Sequence, residues 1–95
     1  MSDRETILES LRAVHEFPGK FLFKAIGPNT EGFVSQVVQS AINLAGPHSA
    51  PEVDTRVSAQ GNHTSVTVTV VMESAENVLE VYDLLRNIEG VAYVL

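Results

Sequence analysis

Between Arg56 and Glu73 the chain reads R-V-S-A-Q-G-N-H-T-S-V-T-V-T-V-V-M-E, and no other stretch constrains the fold as much. Val66, Val68, Val70 and Met72 fall on every second position, so a strand carries them all on one face. Ser65, Thr67, Thr69 and Val71 take the other face. Every residue from Val66 to Val71 is β-branched, which disfavours helix and suits a pleated surface. Upstream, Val53, Thr55, Val57 and Ala59 alternate with Glu52, Asp54, Arg56 and Ser58. Gly61 can take positive φ at no steric cost and Asn62 tolerates it, so the turn is expected at Gly61-Asn62. The stretch reads as one long hairpin. Its valine face calls for helices packed on it, and its Ser/Thr face is expected to stay open.

The rest of the chain supplies those helices. Residues Ser2 to His15 read as a helix, with Ser2-Asp3-Arg4-Glu5 as a capping box and Ile7, Leu8, Leu11 and Val14 as an apolar stripe. Phe17-Pro18-Gly19 breaks it. This helix needs a surface, and the open sheet face and a partner subunit are both candidates. Lys20 to Gly27 reads as a strand with Phe21, Phe23 and Ala25 inward, because Lys24 sits more cheaply on the open face. Asn29 or Thr30 caps a helix whose buried face is Phe33, Val34, Val37, Val38, Ala41, Ile42 and Ala45, and Gly46-Pro47 stops it. A short loop, His48 to Pro51, leads to the hairpin. Ser74 caps a further helix with Val78, Val81, Tyr82, Leu85 and Ile88 inward, Gly90 ends it, and Val91 to Leu95 is a final strand.

The order is a helix followed by strand–helix–strand–strand–helix–strand. Two split βαβ halves around a central hairpin define a ferredoxin-like α+β sandwich. Right-handed crossovers then put two helices on one face of a four-stranded antiparallel sheet, with the N-terminal helix as an addition. Residues 1–16 form that added helix and residues 17–95 the domain, in a chain of 95 residues with room for a single core.

Charge narrows the function. The net charge is −6, and residues 49–95 hold seven Asp/Glu against two Arg. A phosphate-tracking surface needs clustered Lys/Arg, so neither nucleic acid nor an anionic membrane is expected as a partner. No apolar run reaches the roughly 18 residues of a membrane span, and the polar N-terminus does not resemble a signal peptide. A cytoplasmic protein is expected. The chain has no cysteine, and His15, His48 and His63 share no metal-ligand spacing, so neither a metal nor another cofactor is expected.

Two segments are familiar. Glu16-Phe17-Pro18-Gly19-Lys20-Phe21-Leu22-Phe23-Lys24-Ala25-Ile26-Gly27 resembles the F-P-x-x-F/Y-x-F/Y-K-x-M/I-G opening of the YbeD-like family, small bacterial proteins of uncharacterised function. Ser58-Ala59-Gln60-Gly61-Asn62-His63-Thr64-Ser65-Val66-Thr67-Val68 resembles the same family's S-x-x-G-x-Y/H-x-S-V/I-S/T hairpin. The resemblance spans about residues 16–95, and the leading helix is longer than the family pattern. That family is similar in fold to ACT-type regulatory domains, which bind small ligands and usually pair. The resemblance therefore implies a regulatory or adaptor domain, a homodimer, and a small-molecule effector or protein partner. It also implies a ligand site at the strand-to-helix loop, on Gly27, Asn29, Thr30 and Gly32, with Asn29 nearest to the acidic residue that often leads an ACT-type loop. A plain strand-to-helix turn is the simpler account of the same residues.

Chemistry from the residues alone is sparse. His63 and Ser65 lie two apart on a strand and so face the same side, which leaves a small enzyme or enzyme subunit as an alternative. A turn residue beside a strand-face hydroxyl explains both without catalysis, and no catalytic residue is assigned. An RNA-binding module is a further alternative, because ferredoxin-like sheets stack bases on aromatics. The hairpin offers Val and Thr there, and the charge opposes it. The surface of interest is the open face, where Leu22, Lys24, Ile26, Arg56, Ser58, Ser65, Thr67 and Thr69 are expected beside the turn residues Gly61 and His63.

Overall fold

A computed structural model describes residues 3–46 and 50–95. The elements are α1 (Asp3–Val14), β1 (Gly19–Pro28), α2 (Glu31–Ile42), β2 (Glu52–Val57), β3 (His63–Met72), α3 (Ala75–Arg86) and β4 (Tyr93–Val94). The sheet is antiparallel with order β2-β3-β1-β4, so the architecture is the expected ferredoxin-like α+β sandwich with an added N-terminal helix. Ser2 of the expected capping box, Pro47 of the helix stop and His48 of the following loop lie outside the described residues.

Alternation sets the sheet's two sides as expected. Along β3 buried residues alternate with half-buried ones, and Val66, Val68, Val70 and Met72 are the apolar members of the buried set. The β1 register sets Phe21 opposite Val70, Phe23 opposite Val68 and Ala25 opposite Val66. Phe33, Val37 and Ala41 of α2 and Val78, Val81 and Leu85 of α3 close over them in one cluster. Each large apolar side chain so buried contributes about 1.5–3 kcal/mol. Phe21 and Phe23 stack at 4.9 Å, and Tyr82 meets Phe23 edge-on at 5.3 Å, close to the preferred aromatic geometry.

Caps fix the helix starts. The Thr30 hydroxyl accepts from Phe33 N (3.1 Å), and the Ser74 hydroxyl accepts from Asn77 N (3.2 Å). The ends differ from expectation. α2 stops at Ile42, with Asn43 as C-cap, because the chain turns to reach β3: Ala45 bridges Met72, and Gly46 N donates to Val71 O (2.8 Å). α3 ends at Arg86 rather than Gly90, and the last strand shrinks to Tyr93–Val94 because Val91 N is held by Ile88 O (3.2 Å). The hairpin turn is a five-residue loop, Ser58 to Asn62, not a tight Gly61-Asn62 turn. Gly61 does take positive φ, +78°. A hydrogen bond from Gly61 N to Ser58 O (2.9 Å) closes the loop.

α1 lies neither on the open face nor free. Leu8 is buried, Leu11 packs against the core, and Arg12 reaches Glu76 of α3 at 2.8 Å. Ile7 and Val14 stay exposed, so half of the expected stripe is used. β2 departs further: all six of its residues are exposed. Val53 and Val57 share the helix-side face with Val68 and Thr64, but α2 and α3 sit over β3 and β1 and leave that edge uncovered.

Candidate functional site

The open sheet face is continuous from β4 to β2. Strand register sets Tyr93, Ile26, Ser65 and Arg56 side by side in one rung. The next rung holds Lys24, Thr67 and Asp54, with Leu95 bonded to Lys24 through both backbone groups (2.8 and 3.2 Å). A third holds Leu22, Thr69 and Glu52, and Lys20 reaches diagonally to Glu52 at 3.4 Å. That pair is well exposed and adds at most about 1 kcal/mol. Leu22, Tyr93 and Leu95 are 54%, 67% and 63% exposed, an apolar row with Lys24 inside it.

At the hairpin end the face dips into a hollow of about 390 Å³, lined by Ile26, Arg56, Val57, Ser58, Ala59, His63, Thr64 and Ser65. Ser58 shapes it: its hydroxyl accepts from His63 N (3.2 Å), and its own amide donates to His63 O (2.9 Å). Thr64, the one buried polar residue among those described, donates its hydroxyl to Arg56 O (3.3 Å). Ser65 donates to the same carbonyl at 3.5 Å, not to the His63 ring. No acid orients His63 through a described hydrogen bond, so a nucleophile–base–acid relay is not assembled among the described residues. The described residues also contain no group of three or more His, Asp or Glu placed to hold a metal ion. No helix among them is long and apolar enough to cross a membrane.

The residues named from sequence divide in two. Arg56, Ser58, His63 and Ser65 converge on the hollow, and Lys24 sits one rung away. Gly61 stands at the loop tip. The strand-to-helix loop works differently. Gly27 is buried because the Phe33 ring lies directly on its Cα; a Cβ there overlaps that ring. Asn29 ties two loops together, donating from its amide N to Asn62 O (3.2 Å) and from Nδ2 to Gly61 O (3.0 Å). Thr30 is the α2 cap, and its amide donates to Pro28 O (2.8 Å). Gly32 is exposed with open space around it. So Gly27, Asn29 and Thr30 shape and brace the hairpin end. Sequence reasoning missed Tyr93 and Leu95, whose place depends on the pairing of β4 with β1.

The sandwich and its bare face define a class before they define a family. Among solved structures the chain is similar in fold to the ACT domain from the GTP pyrophosphokinase of Chlorobium tepidum, with a TM-score of 0.56, 16% identity, and 81% of this chain and 97% of that one covered. Its ferredoxin-like α+β fold is thus of the ACT-like kind. Residues 12–95 match the family described as "Protein of unknown function (DUF493)", and the chain belongs to that family, the YbeD-like one its motifs resemble. It is 38% identical over 80 residues to a UPF0250 protein of Shewanella halifaxensis, covering 84% of this chain and 89% of that one. It is 36% identical over 86 residues to one from Erwinia tasmaniensis, with 90% and 97% covered. The family match begins at Arg12, so most of α1 precedes it.

Proposed function

We propose that this protein is a non-enzymatic regulatory or adaptor domain that docks a protein partner on its open sheet face. The observation that carries the reading is the exposed row of Leu22, Tyr93 and Leu95 around Lys24. Single exposed apolar residues are ordinary, but a contiguous patch rimmed by polar groups marks a contact surface. Lys24 takes part in no described ion pair, while Glu52 and Asp54 across the sheet carry the opposite sign. The complementary partner is an apolar ridge flanked by carboxylates, oriented by that change of sign. The test isolates partners with the wild type, Leu22→Glu, Lys24→Glu and an α3 control, Glu80→Lys. A partner held by the wild type and the control but lost by both face variants supports the reading. Full retention by folded Leu22→Glu overturns it.

The hollow favours a second reading, a small carboxylated effector held by Arg56 with the Ser58 and Ser65 hydroxyls. A ligand at a hundred times its Kd adds about 2.7 kcal/mol, readable as a raised melting temperature. A shift given by amino acids or metabolites and abolished by Arg56→Ala supports this reading. No shift from any of them rejects it.

A further inference from the structure

α1 and α3 run antiparallel in the helix layer, since Arg12 near the end of α1 meets Glu76 near the start of α3 at 2.8 Å. A groove of about 280 Å³ lies between them, on the side of the sheet away from the open face. α1 lines it with Arg4, Ile7 and Leu11, and α3 with Leu79, Tyr82, Asp83 and Arg86. Both sets follow the three- and four-residue steps that keep side chains on one helix face. Leu8 anchors α1 in the core, which holds Ile7 beside the groove at 47% exposure. The apolar side chain that core packing leaves unused is therefore a wall of this groove.

The lining joins an apolar wall to two cations. Ile7, Leu11, Leu79 and the Tyr82 ring supply the wall. Arg4 lies in the first turn of α1 and Arg86 in the last turn of α3, so antiparallel packing brings their guanidiniums toward the same end. The chain holds twelve Asp/Glu against six Lys/Arg, yet this lining holds two Arg against one Asp. Asp83 pairs with Arg86 at 3.3 Å, an exposed pair that contributes little. Arg4 enters no described ion pair, and Glu76, which its charge reaches, is already held by Arg12. Arg86 also lies over the Tyr82 ring, 5.6 Å from its centroid. Its planar guanidinium has a second face on which another ring can stack.

We propose that this groove binds a small aromatic carboxylate. The ring lies against Ile7 and Leu79 and stacks on Arg86, and the carboxylate accepts charge-assisted hydrogen bonds from Arg4. An apolar wall with a few polar groups that fix orientation is the usual make-up of a small-molecule site. The volume lies just below the roughly 300 Å³ at which drug-sized pockets begin, which suits a body of one or two fused rings. The family match begins at Arg12, so the wall of Arg4, Ile7 and Leu11 precedes it, and the site depends on the added helix rather than on the sheet. It is separate both from docking on the open face and from the hollow at the hairpin end.

Titration of the whole chain with 2-naphthoate, followed by amide NMR shifts, tests it. Saturable shifts are expected along α1 and α3, centred on Ile7 and Arg86, with a Kd of about millimolar for a ligand of this size. The neutral 2-naphthamide is expected to bind at least about ten-fold more weakly. Decahydro-2-naphthoate keeps the charge but loses the π face, and is expected to bind roughly three- to thirty-fold more weakly. Arg4→Ala removes most of the preference for acid over amide. Arg86→Ala removes the preference for the aromatic over the saturated ring, and Lys20→Ala on the sheet changes neither. All three residues are exposed, so the fold is expected to survive, and unchanged dispersion of the NMR spectrum verifies it. No saturable shift in the wild type, shifts confined to the open face or the hollow, or equal binding of 2-naphthoate and either comparator overturns the proposal. So does a folded Arg4→Ala variant that keeps the wild-type preference for the acid.

Discussion

Replacing Gly27 by Ala distinguishes a glycine kept for a ligand from one kept for packing. The added Cβ stands 2.5 Å from Cζ and 2.9 Å from Cδ1 of Phe33, where carbon atoms rest at about 3.5–4.0 Å. The ring must therefore retreat by roughly 1 Å. It has nowhere to go, because Phe33 is 3% exposed and joined to the cluster under α2 and α3. Overpacking of this kind costs about 1–3 kcal/mol. For a domain of this size each kcal/mol lowers Tm by roughly 4–8 °C, so a fall of about 4–24 °C is expected. Thermal melts of the wild type, Gly27→Ala, Phe33→Leu and the double variant form a cycle. Because Leu vacates the space that the Cβ needs, the double variant is expected to lose less than the sum of the two singles. A Gly27→Ala melt equal to wild type, or strict additivity in the cycle, refutes the packing account.

Three other perturbations follow from the same contacts. Asn29→Ala removes the side-chain bond to Gly61 O and is expected to cost about 0.5–1.5 kcal/mol, with faster amide exchange confined to Gly61–His63; unchanged exchange there shows that the brace is not needed. Glu76 has its pKa lowered, first by its own backbone N–H and then by Arg12, so its contribution is present above the unfolded carboxyl value of about 4.3 and lost as pH falls through the lower folded value. The stability gap between wild type and Glu76→Gln in urea melts is therefore expected to close below about pH 4, and a gap constant through that range contradicts the assignment. Burial raises the Tyr82 pKa against the opposing pull of Arg86, so the folded state holds the phenol proton longer and stability falls above about pH 10; Tyr82→Phe is expected to flatten that alkaline loss.

What the sequence makes legible here is parity, and what it hides is coverage. Alternation along Val66–Met72 and Phe21–Ala25 separates inner from outer residues because each strand obeys a period of two by itself. The same alternation in Val53, Thr55 and Val57 tells which side those residues face, yet not that two helices are too narrow to reach a fourth strand. Burial of β2 is a property of the assembly of α2, α3 and the sheet, and no local pattern encodes it. The hollow divides along the same line. Arg56, Ser58, His63 and Ser65 were legible as one surface because they lie near each other along a hairpin. Gly27 is a place where the resemblance implies a ligand, and the fold sets the ring of Phe33, six positions on in the first turn of α2, against it. Tyr93 reaches the face only because β4 pairs with Ile26 from far along the chain. The uncovered valine face of β2 is thus the point where local pattern and assembly disagree.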